Sequence, residues 1–193
     1  MMKSSLLSAA FVAAAALLAG GAVLAQPKAT TPTTTMPNQA PSTKSATLAQ
    51  EDQAFVRKAA EAGHMEVEAS KLAQQRADSQ EVKTFADMMV KDHTAANQEL
   101  GSIAGSKGIT PPAGPSAAQQ EKLKKLGDMK GAEFDKAYAK EVGVAAHEEA
   151  VKLFKDATTS LKDADLKAFA VKTLPKLEKH LGMAKDVEKK VAG

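Results

Sequence analysis

The chain has 193 residues, 44% of them hydrophobic, with six Phe, one Tyr, no Trp and no Cys. Its formal charge is +3, but Lys3, Lys28 and Lys44 are the only charged residues before Glu51, so the excess lies near the start and the remainder is neutral. A neutral body offers no electrostatic footprint for nucleic acid, and the lack of cysteine excludes disulfides, thiolate metal sites and cysteine nucleophiles.

Residues 1–25 open with "MMK", continue with "LLSAAFVAAAALLAGG" and end on Val23-Leu24-Ala25. A positive start, an apolar stretch and small or branched residues before Gln26 predict a cleaved export signal with the cut after Ala25. The expected location is periplasmic or secreted, with no stable membrane span after cleavage. The alternative is a retained anchor, since ~20 apolar residues can cross a bilayer. Residues 26–47 hold Pro27, Pro32, Pro37 and Pro41 among many threonines. Such a segment buries too little apolar surface to offset its ordering entropy, and it reads as a disordered linker.

From Leu48 to Gly193 the period is helical, and Ala, Lys, Glu, Gln and Leu dominate, residues that lose little side-chain freedom in a helix. The pattern predicts four long helices at 49–77, 79–106, 131–160 and 163–191. Asp78-Ser79 and Asp163-Ala164 read as tight turns with N-caps. "GSKGITPPAGP", 105–115, stops the second helix, and a short helix at 116–127 fills the connection. Two short turns and one long connection predict an all-α, ferritin-like four-helix bundle: two hairpins joined by a crossover containing a short helix. The openings of the second and fourth helices, "EVKTFA" and "DLKAFA", echo each other.

Each long helix carries an apolar line with one interruption. In the first, Phe55, Ala59, Ala62, Ala69 and Ala73 are interrupted by Glu66. In the second, Val82, Phe85, Met89, Ala96, Leu100 and Ile103 are interrupted by His93. In the third, Val144, Val151, Phe154 and Leu161 are interrupted by His147. In the fourth, Leu166, Phe169, Thr173, Leu177, Ala184, Val187 and Val191 are interrupted by His180. The remaining histidine, His64, lies with Arg57, Glu61, Glu68 and Lys71 on a polar face and reads as solvated.

With a rise of ~1.5 Å per residue, all four interruptions fall near mid-helix and converge at one level. Burying one unpaired imidazole or carboxylate costs several kcal/mol, so four of them call for mutual satisfaction. A divalent transition metal provides it: neutral imidazole and carboxylate are ligands for iron, zinc or manganese. Met89 and Met183 adjoin the level and would favour copper, but Met fills core gaps commonly, which leaves copper behind the other three. The competing reading is a closed His–Glu network without metal. The two-metal carboxylate pattern, Glu-x-x-His on two helices, is absent: Val90, Val144 and Leu177 stand three residues before the histidines. One ion is therefore expected. Asp92 and Glu148 are candidates to orient the neighbouring His93 and His147, the alternative being ordinary surface acids, which is the preferred reading for Glu148. Pro175 should kink the fourth helix.

The phrases "MEVE", "FADMMVKDH", "FDKAY" and "LPKLEKHLGMA" resemble the bacterial family named domain of unknown function 4142, over about 50–188. The resemblance implies a secreted ferritin-like bundle and marks Glu66, His93, His147 and His180 as motif positions. The expected function is an exported bundle holding one transition metal for buffering, sensing or redox protection. The alternative is a non-catalytic envelope protein with a buried polar network. A third reading is a carrier that opens along Pro175 to admit a small ligand. No nucleophile motif or phosphate loop points to hydrolase or transferase chemistry. Catalytic residues and protein partners stay unassigned.

Overall fold

The computed structural model describes residues 48–193; the expected signal at 1–25 and the expected linker at 26–47 lie outside the described residues. Every regular element among the described residues is helical. Helix α1 spans Gln50–Arg76 and α2 spans Gln80–Ser106. The crossover contains α3, Ala117–Gly127. The third long helix is α4, Gly131–Ala137, continued by a wide-turn segment, Tyr138–Ala145, and by α5, Ala146–Ser160. Helix α6 spans Ala164–Ala192. The expected boundaries hold to within a residue or two. No described helix is long and apolar enough to cross a membrane.

The ends are set by side chains that satisfy free backbone groups. Ser79 Oγ accepts from the Val82 amide, and Asp163 accepts from the Asp165 and Leu166 amides. Ser116 and Gln119 form a reciprocal cap on α3. Two buried acids close the turns of the opposite hairpins. Asp52, on α1, accepts from the Lys162 and Asp163 amides between α5 and α6 at 2.9 and 3.1 Å. Asp135, on α4, accepts from the Ser79 amide between α1 and α2 at 2.8 Å. Gly131 opens α4 at φ 61°, with Asp78 so near that a Cβ would lie 2.8 Å from its Oδ2.

The third helix departs from the expected continuous α-helix at 131–160. Its Ala146 amide reaches back to the Glu141 carbonyl, five residues earlier. The buried line explains this. Phe134, Tyr138 and Val142 face the core, and so do His147, Ala150 and Phe154, yet Val142 and His147 are five apart. Five residues of α-helix turn through about 500°, which would put His147 about 140° away from Val142. The wide turn absorbs the extra residue and brings both inward. Val144, expected on the inward line, is only half-buried. Gly143 permits close packing there, since a Cβ would meet Ala184 of α6 at 3.2 Å.

The core divides in two. One apolar cluster gathers Val82, Phe85, Phe134 and Tyr138 near the α1–α2 turn. The other gathers Phe55, Phe154, Leu166 and Phe169 near the α5–α6 turn. The division falls between Met89 and Leu100 on α2, between Val142 and Ala150 on the third helix, and between Leu177 and Ala184 on α6. His93, His147 and His180 occupy that gap. Helix α6 runs unbroken through Pro175, which faces solvent.

Candidate metal centre

Three helices each deliver one imidazole to the gap. His93 is 7% exposed, His147 0% and His180 1%. Their ring centroids form a nearly equilateral triangle of 5.5, 5.5 and 5.6 Å. One nitrogen from each ring lies within 4.8 Å of those from the other two. Three ligands at metal–nitrogen distances of about 2.0–2.1 Å stand roughly 3.5 Å apart, so modest rotamer adjustment closes this set around one ion. Three buried histidines can thus form a metal site.

Two rings are anchored from outside the trio. His147 Nδ1 lies 3.1 Å from the Val142 carbonyl, one wide turn back, and donates its proton there. His180 Nε2 lies 3.0 Å from Asp92 Oδ2, while the other oxygen, Oδ1, accepts from Lys176. The buried nitrogens left without a partner are His93 Nε2, His147 Nε2 and His180 Nδ1. Both anchors fix the ring tautomer and leave a lone pair free on the other nitrogen.

Glu66 is buried at 2% exposure but falls outside the 4.8 Å set. Its Oε1 lies 3.5 Å from His147 Nδ1, and its Oε2 has no partner. Burial pushes its carboxyl well above the ordinary value. Burial also pulls His93 down to about 3, helped by its imidazole neighbours, and His147 to about 4 against the lift of the Val142 bond. His180 is lowered by burial, with Asp92 opposing. Partial burial raises Asp92, but its bonds to His180 and Lys176 prevail and hold it low. The rings are therefore neutral at pH 7, the form that donates to a metal.

A model of the family described as Domain of unknown function (DUF4142) matches residues 37–187. The chain belongs to this family. No curated protein matches it in sequence. Its structure resembles the crystal structure of a "putative secreted protein DUF305" from Streptomyces coelicolor, with a TM-score of 0.63 at 16% identity over 74% of this chain and 94% of that one. At that identity the likeness concerns the helical fold alone.

Other sequence expectations resolve within the DUF4142 domain. Asp92 is an orienting partner, but of His180 across the helix interface rather than of its neighbour His93. Glu148 is a surface acid that pairs with Lys185. Met89 and Met183 pack in or against the first apolar cluster. His64 is half-buried rather than fully solvated. Asn97 was not singled out by the sequence pattern, although it stands one turn beyond His93. Its amide presses against α1 where Gly63 has no side chain; a Cβ there would lie 2.0 Å from Asn97 Oδ1.

Proposed function

We propose that this DUF4142 domain works outside the cytoplasm and holds one divalent transition metal on His93, His147 and His180, with Glu66 as the adjoining carboxylate. The function is metal buffering, sensing or redox protection. The single observation that carries the reading is the convergence of three buried imidazoles, each with a buried nitrogen that has no hydrogen-bond partner among the described residues. Buried polar groups are nearly always satisfied, and each bare one costs about 1–3 kcal/mol. A cation satisfies all three at once.

The donor set favours iron, zinc or manganese over copper, because no thioether joins the trio. The Glu66 carboxylate, 3.5 Å from His147 Nδ1, would supply from beside the trio the negative charge that a dication lacks among neutral imidazoles. Export is supported by the pattern of residues 1–25 and by the description of the structural neighbour as secreted. A metal-free network has in its favour the 3.5 Å approach of Glu66 to His147 and the bonds of His147 and His180 to Val142 and Asp92, but these leave a nitrogen of each ring bare.

The test is elemental analysis of the untagged protein purified from a periplasm. One equivalent of metal, lost in His93→Ala, is the expected result. No metal in the wild type, together with a His93→Ala variant that differs only in stability, would leave the polar network as the better account.

A further inference from the structure

Beside the trio lies a cavity of about 30 Å³. His93 and His180 form part of its wall, and Glu66 and Asn97 supply polar atoms. Small residues, Ala59, Ala62 and Gly63 on α1 and Ala96 on α2, share the rest of the lining with bulky apolar side chains and with the charged Asp92 and Lys176. These small residues make the space. A water needs roughly 10–15 Å³ measured this way, so the cavity admits a molecule of about two or three heavy atoms.

We propose that the metal held by the three histidines keeps an open coordination position toward this cavity, and that the cavity takes one small exogenous ligand, a linear anion of two or three heavy atoms in exchange with water. This deepens the metal-binding reading and rests on it. Three imidazoles without a fourth tight protein donor are the arrangement of sites that bind a solvent molecule, whereas closed structural sites use four protein donors. Glu66, outside the 4.8 Å set, leaves that position open. The walls of the cavity bound the size of the anion it takes, and Asn97, which also lines it, brings a side-chain amide to the same space.

The test uses the full mature chain loaded with Co²⁺ and titrated with azide, read by the visible ligand-field bands. Saturable band shifts are expected for the wild type. Ala62→Leu, which fills the cavity from α1 and leaves all three histidines in place, should keep the cobalt spectrum and weaken azide at least tenfold. Ala96→Leu, which fills it from α2, serves the same purpose should the first variant not fold. Cobalt bands that do not respond to azide in the wild type, or filled variants that bind azide as tightly, would overturn the open position while leaving metal binding intact. A wild type without cobalt bands would overturn both.

Discussion

Two buried acids on the same helix behave in opposite ways. Asp52, at the start of α1, is 1% exposed and has both oxygens occupied by backbone amides of the α5–α6 turn. Glu66, near the middle, is 2% exposed, and its Oε2 has no partner. Burial alone therefore does not mark function. A buried carboxylate that accepts two amide bonds holds the fold together, whereas one left bare at the level of three bare imidazoles is poised for something that the chain itself does not supply.

The sharpest way to break this contrast is at the trio. Alanine at His93, His147 or His180 should weaken metal binding by more than about 100-fold, beyond what loss of an outer partner gives. Calorimetric titration checks this, and equal binding by all three variants would erase the distinction between centre and ends. Next in size is Asp52→Ala, which strands two amides and should lower stability by about 2 kcal/mol in urea denaturation, with metal stoichiometry unchanged. Asp92→Asn should cost about tenfold in metal affinity by loosening the His180 ring, with little change in the stability of the metal-free fold.

The smallest effect carries the most informative sign. Glu66→Gln should stabilise the metal-free protein at neutral pH by on the order of 1 kcal/mol, because a carboxyl raised by burial loses stability as pH rises above its unfolded value. Asp52→Asn should only destabilise. The imidazoles act the other way. Their folded values lie below the unfolded 6.5, so the unfolded chain takes up protons first and metal-free stability falls as the pH drops from about 6.5 toward 4. Three rings outweigh one carboxyl, and Glu66→Gln should steepen that fall by removing the opposing contribution. Thermal melts across this range provide the measurement.

The elements and their ends were legible because strong helical periodicity meets explicit breakers, as at Asp78-Ser79 and at Pro111, Pro112 and Pro115. The trio was legible for a related reason: a polar residue inside an apolar line is conspicuous, and mid-helix positions meet whichever way the hairpins join. The wide turn at 138–145 was hidden because a single 3.6-residue period was carried across it; the five-residue step from Val142 to His147 was its trace. The role of Asp52 was missed although it sits one turn before Phe55 on the same line. Its partners are backbone amides 110 and 111 residues away, and amides leave no mark in a sequence. Asp92 was noticed but joined to the wrong ring, because its partner is set by the rotation of α6 against α2, not by adjacency in the chain.

The exchange of Asp52 and Asp135 between the hairpins has a consequence for assembly. Each half of the molecule carries the staple for the other's bend, so a nick in the proline-rich stretch at 107–115 would produce two fragments with unfastened tips. Neither piece would keep its shape in isolation. Mixed together, they would fasten each other, and the four arms would close in a single concerted event.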